Sequence, residues 1–195
     1  RMNRDRLMGA KRVAITGGIG SGKSYVCKLL GERGIAVYDC DAAAKRLMAH
    51  DGSLQKTIFQ LVGQGAYRNG ILQEKVLAQF LLAQEMNRQA LDDIIHPVVA
   101  LGFLHSGMDW LESAIFFDSG LDRRVNMDLV VCVAAPTDVR VNRIMSRDGI
   151  SREKALQWIQ NQLPQEEVMH RSDLTILNDG QVNLDSEITS LLRII

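Results

Sequence analysis

The chain has no excess of charge of either sign: Lys and Arg number 23, and so do Asp and Glu. A neutral chain projects no overall field toward a polyanion or an anionic bilayer, so no nucleic-acid partner is expected. Long apolar runs are missing too. The longest, Leu129 to Pro136, falls far short of the roughly 20 residues that a membrane helix needs. The basic stretch Arg1 to Arg12 is followed by too few apolar residues to form a signal-peptide core. The expectation is a cytoplasmic protein with no membrane partner. Cysteine is scarce: Cys27, Cys40 and Cys132 are far apart and form no C-x-x-C pair, which speaks against a metal or redox centre and for small, reduced, apolar fillers. His50, His105 and His170 share no spacing typical of metal ligands. Internal repeats and low-complexity tracts are absent.

What remains is a chain of 195 residues, 46% hydrophobic, enough for one sizeable core. Arg12 to Thr16 is a short β-branched run that reads as a buried strand. Ser24 to Arg33 sets Val26, Leu29 and Leu30 at helical spacing, and Gly34 closes that helix. A second strand, Ile35 to Asp39, follows at once. Residues 12–41 are therefore one βαβ unit with a right-handed crossover, the signature of an α/β fold with a parallel sheet. From Ala42 to about Gly107 the pattern is helical, with Leu77, Leu81, Leu91, Ile94 and Ile95 marking apolar faces and turn signals at Asp51-Gly52 and Asn69-Gly70. Further strands are expected at Ser113–Phe117, Asp128–Ala134 and Leu174–Leu177. A charged helical stretch between Thr137 and Asp173 is broken at Asp148-Gly149 and at Pro164, and a helix from Leu184 to Ile195 ends the chain.

The segment Gly17-Gly18-Ile19-Gly20-Ser21-Gly22-Lys23-Ser24 satisfies G-x-x-x-x-G-K-[ST] in full. Chance would produce it roughly once in a hundred chains of this length. It also follows a strand and opens a helix, where free N–H groups and the helix dipole attract anions. The glycines let the backbone wrap oxygens that a Cβ would exclude. In that reading Lys23 reaches the β and γ phosphates of ATP and the Ser24 hydroxyl ligates Mg²⁺.

Ligands of an open parallel sheet sit at the carboxyl ends of its strands. Asp39 and Asp41 end the second strand, and Asp118 ends the strand expected at Ala114 to Phe117. Such carboxylates accept a proton from an attacking hydroxyl, or hold Mg²⁺ directly or through water. Asp39 is read equally as a cap for the helix that begins near Ala42; Asp41 is the favoured base. Arg140, Arg143 and Arg147, at i, i+3 and i+7, lie on one helix face. That face is either solvated or closes over a triphosphate, and with the loop in place Arg143 and Arg147 are the better candidates for the second role. His96-Pro97 interrupts a helical pattern, a place where a lone histidine is more often structural.

Taken in order, Thr16 to Ser24, Gly34-Ile-x-Val-x-Asp39-x-Asp41, Ile95-His96-Pro97, Arg143-x-x-x-Arg147-Asp148 and Ile176-x-Asn178-x-Gly180 resemble the dephospho-coenzyme A kinase family, from about Arg12 to the C-terminus. The resemblance implies a P-loop kinase fold. Residues 1–41, 108–139 and 174–195 would form the nucleotide-binding core, residues 42–107 a helical acceptor domain and residues 140–173 a lid. It implies transfer of the ATP γ phosphate to the ribose 3′-hydroxyl of dephospho-coenzyme A. Asp41 would be general base; Gly18 to Ser24, Asn178 and Gly180 would bind ATP; Arg143 and Arg147 would come from the lid; and His96 would serve the acceptor. Ser24 would hold Mg²⁺, with Asp118, where the family usually has Glu, on the metal side through water. Glu74 stands where the family commonly has an arginine, and Val168 where it often has a lysine. A monomer is expected. The alternatives are another small-molecule P-loop kinase and an ATPase without an acceptor; a GTPase switch is disfavoured because neither N-K-x-D nor D-x-x-G occurs.

Overall fold

The structure, a computed structural model, describes residues 9–195; the beginning of the basic stretch, residues 1–8, lies outside the described residues. In chain order the elements are β1 (Val13–Thr16), α1 (Lys23–Glu32), β2 (Val37–Asp39), α2 (Cys40–His50), α3 (Gly52–Val62), β3 (Tyr67–Arg68), β4 (Ile71–Leu72), α4 (Glu74–Ala83), α5 (Met86–His105), β5 (Trp110–Ser113), β6 (Leu129–Ala134), α6 (Thr137–Asp148), α7 (Arg152–Gln160), α8 (Gln165–Arg171), β7 (Leu174–Leu177) and α9 (Leu184–Ile194). Among the described residues the main sheet has five strands in the order β2-β5-β1-β6-β7, all parallel.

Side-chain alternation along β1 explains the layers. Val13 and Ile15 face α1 and α9, packing with Val131, Val133, Val26, Leu30 and Ile188. Ala14 faces the opposite way, joining Leu111, Cys132 and Ala134 beneath Ala43 of α2 and Val99 and Phe103 of α5. With both faces covered, the strands read as continuous apolar runs rather than alternating ones. Phe103 is fully buried in that second layer, and truncating it to Ala would cost about 3–5 kcal/mol. α1 ends as its sequence suggests: Gly34 has φ 84°, its N–H bonds to Gly31 O and the Ile35 N–H to Leu30 O at 3.1 Å, the paired bonds of a left-handed helix cap.

Two differences from the sequence reading matter. The third expected strand lies further back: β5 is Trp110–Ser113, and residues 114–120 are turns. Thr16 and Ser113 are the last registered pair, so β5 stops level with the point where β1 gives way to the glycine loop. Ile115, Phe116 and Phe117 read as strand only because a short apolar run does not distinguish a strand from a buried turn. Phe116 and Phe117 are buried and meet edge to face at 5.2 Å. Asp118 therefore does not end a strand. The second difference is a two-stranded hairpin, β3-β4, inside the stretch read as helical. Asn69 (φ 52°) and Gly70 (φ 76°) form its turn, both at positive φ as a tight two-residue hairpin requires.

Candidate functional site

β1 ends at Thr16 and α1 begins at Lys23, so the glycine loop is the hinge between the central strand and its helix. The first N–H groups of the helix, those of Lys23 and Ser24, precede any intrahelical carbonyl, and the Tyr25 N–H is the first to bond back, to Gly22 O at 3.1 Å. Gly22, immediately before the helix, adopts the left-handed conformation with φ 82° and ψ 21°, which disfavours any residue with a Cβ. A Cβ there would also collide with the Asn178 side-chain amide, and one at Gly18 with the Arg140 guanidinium. The glycines thus serve the packing around the loop as well as its curvature.

Other elements hold the loop from outside. Arg140, almost fully buried, donates from Nε to Ile19 O at 3.0 Å. Arg143 donates to Gly20 O at 3.3 Å, to Ser21 O at 3.1 Å and to Asn178 O at 2.9 Å. The Asn178 amide donates to Ser21 O at 3.1 Å, and its backbone N–H to Ala134 O at 2.7 Å. Gln162, just past α7, accepts the Ile19 N–H at 2.9 Å. The Ser21 hydroxyl is buried without a hydrogen-bond partner among the described residues.

Inside this frame is a cavity of about 350 Å³, lined by the loop from Gly18 to Ser24 and by Asp41, Ala114, Arg143, Arg147 and Gln162. Lys23 is buried, its Nζ 2.8 Å from Glu112 Oε2. Burial by itself would lower the lysine's pKa, but Glu112 at contact distance and Asp41 nearby more than offset it, and the net shift is upward. Asp41, at the start of α2, has its pKa raised, chiefly by burial, with Asp39 and Glu112 adding to the rise and Lys23 and a bond from Ala114 opposing it. Asp39 instead accepts the Ala42 N–H at 2.9 Å; it caps α2. Arg147 is 60% exposed at its side chain and, among the described residues, pairs with its neighbour Asp148 alone.

A second cavity, about 740 Å³, shares Ile19 and Gln162 with the first and is walled by Arg88, Asp92, Asp118 and Trp158 among others. It opens between α5 and the α7 segment. His96 is buried beneath Asp92, with Nε2 3.4 Å from Asp92 Oδ1, and its Nδ1 has no partner among the described residues. Asp118 Oδ2 accepts the Leu163 N–H at 2.9 Å, so this carboxylate is tied to the segment between α7 and α8 and borders the second cavity. Glu74 begins α4 and lines a separate apolar groove with Lys45 and His50. Gly180 lies past β7, close to Arg143.

The structure brings Gly18 to Ser24, Asp41, Arg143 and Arg147 to one cavity. Asn178 and Gly180 stand behind the loop, while His96 and Asp118 belong with the second cavity. Two residues were missed, and one was named without its role. Arg140 shares the spacing of the other arginines but braces the loop from a buried position. Glu112 carried one signal, a charge inside a strand buried on both faces, where an unpaired carboxylate is rare. Gln162 carried none.

A strand, a glycine loop closed by Lys-Ser, and a carboxylate across the same cavity define a P-loop phosphotransferase. The dephospho-CoA kinase family model matches residues 11–183. A dephospho-CoA kinase of Bacteroides fragilis is 38% identical over 190 residues, covering 94% of this chain and 92% of its own; one of Chlorobaculum tepidum is 34% identical, covering 88% of each. A crystal structure from Thermus thermophilus superposes with a TM-score of 0.79 at 30% identity, covering 94% of this chain and 97% of that one. The shikimate kinase of Acinetobacter baumannii, at 17% identity and TM-score 0.54, shares the fold. The chain belongs to the dephospho-CoA kinase family.

Proposed function

We propose that this protein transfers the γ phosphate of ATP to the ribose 3′-hydroxyl of dephospho-coenzyme A, giving coenzyme A and ADP. The observation that carries the reading is the shared cavity: the anion-binding loop, Lys23, two arginines and a half-buried carboxylate all face the same space. Loop amides and Lys23 hold the terminal phosphates. Arg147, exposed and held only by its neighbour, swings toward charge developing on the transferring group, and Arg143 keeps the loop in shape. Asp41 takes the proton of the acceptor hydroxyl; its raised pKa makes the carboxylate a better proton acceptor than an ordinary aspartate.

Among the described residues no group of three or more His, Cys, Asp or Glu could hold a metal ion alone. Mg²⁺ does not need such a cage, because it takes most of its ligands from phosphates and water. Ser24, a hard oxygen donor on the loop cavity, fits it and would hold it, with Asp118 able to contribute only through water. When bound, the ion neutralises charge on the phosphates. The acceptor occupies the larger cavity and extends its reactive hydroxyl to Asp41 in the loop cavity, with His96 orienting Asp92 on the wall; reading of the ATP base is assigned to Asn178 and Gly180. The three cysteines are free and buried, and burial raises the Cys132 thiol to about 11. Thiols kept buried and unreactive accord with a protein working in the cytoplasm.

Incubation with Mg-ATP and dephospho-coenzyme A should give coenzyme A, with ADP formation dependent on the acceptor. ADP released at the same rate without acceptor would make the protein an ATPase, and a product formed only from a different alcohol would reassign the substrate.

A further inference from the structure

The Lys23–Glu112 pair is not needed to explain phosphate binding and stands in its way. Both side chains are 9% exposed and 2.8 Å apart. Glu112 is in β5, in register with Ile15 of β1 on one side and Asp39 of β2 on the other. It lies behind the lysine: Lys23 lines the loop cavity and Glu112 does not. The other titratable groups around the pair are Cys27 from α1, Asp39 from β2, and Cys40 and Asp41 from α2, and among the described residues Lys23 is the cation that Glu112 pairs with.

A phosphate drawing Lys23 toward the cavity leaves a buried carboxylate with a weaker partner, which is unfavourable. It also brings new negative charge close to Glu112 and Asp41. We propose that Glu112 is a positioning residue that holds the P-loop lysine back from the nucleotide. Carboxylate and terminal phosphates compete for one ammonium, and the competition sets how tightly ATP binds and how readily ADP leaves. The inference rests on the reading of the loop as a nucleotide site, and not on the identity of the acceptor.

Calorimetric titration with ADP and with ATP, each with and without Mg²⁺, tests it. Wild-type protein that binds neither nucleotide overturns the loop reading itself. Given wild-type binding, Glu112→Gln should lower the Kd for both nucleotides by about three- to tenfold, with or without the metal, and lower the KM for ATP by a similar factor. The free variant should melt at a lower temperature than wild type, yet gain more from added ADP. A group that merely props up the loop would do the reverse, weakening nucleotide binding as stability falls. An unchanged or larger Kd, or tightening seen only with Mg²⁺, overturns the proposal. Glu112→Asp keeps the charge and should restore a Kd near that of wild type. Should Glu112→Gln fail to fold, Glu112→Ala, which admits water to Lys23, faces the same measurements with the same expected sign.

Discussion

Asp39 and Asp41 lie two residues apart at the junction of β2 and α2, yet their carboxylates do different work. Asp39 turns back to accept the Ala42 N–H at 2.9 Å and starts the helix. Asp41, one turn position on, faces the loop cavity. The helical twist between the two positions sends one carboxylate to the helix start and the other to the cavity.

Asp41→Asn should reduce kcat by roughly 10²-fold or more while leaving ATP affinity nearly unchanged. Wild-type kcat/KM should rise with pH through the raised pKa of Asp41, an acid limb above the ordinary carboxylate range that the variant lacks. The stability effect has the opposite sign. A carboxyl whose folded pKa is raised binds more protons folded than unfolded, so its ionisation costs stability as pH climbs from the ordinary aspartate value through the folded one. Asp41→Asn should therefore melt higher than wild type at neutral pH, and the difference should disappear in acid.

Arg147 and Arg143 should separate under mutation. Arg147 is exposed and, among the described residues, bonded to Asp148 alone, so Arg147→Ala should lower kcat on the order of 10²-fold with no change in melting temperature. Arg143 donates to three carbonyls of the loop and its support; Arg143→Ala should raise the KM for ATP and destabilise the protein as well. Steady-state kinetics beside thermal denaturation read both effects.

Gly22→Ala places a Cβ at φ 82° and against the Asn178 amide. The expected outcome is loss of nucleotide binding in calorimetry with the far-UV circular dichroism spectrum unchanged, since the helix and strand on either side keep their own bonds. Asn178→Ala, which removes the bond to Ser21 O, should raise the Kd for ATP less severely, by about tenfold.

His96 is buried and reaches Asp92 on the wall of the larger cavity. His96→Ala should raise the KM for the acceptor while sparing that for ATP, and should lower the melting temperature because it opens a void. An equal rise in both constants would remove His96 from the acceptor side.

The glycine loop was legible because its chemistry is local: eight consecutive residues carry both the conformation and the ligands. The same holds for the Gly34 cap and for the last strand, Leu174–Leu177, which is where its apolar pattern places it. Features formed across the chain were not legible. Glu112 meets Lys23 only because β5 lies beside β1, and that adjacency is a property of strand order. The error at residues 113–117 has the same origin: register with β1 fixes where β5 stops, and the local run of Ile115, Phe116 and Phe117 is silent on it. Arg140 and Arg147 share one helix face in the sequence, and only packing sets one inside as a strut and leaves the other out in solvent.

Asn178 grips a loop that the ribosome finished long before. At ordinary synthesis rates on the order of ten seconds or more pass between the emergence of Ser21 and that of its clamp, and through that interval the glycines have nothing from β7 to lean on. A newborn chain should therefore hold nucleotide less firmly until its final strand docks. Fragments that stop short of residue 178 should bind ATP more weakly than the full chain even though every residue of the phosphate loop is present.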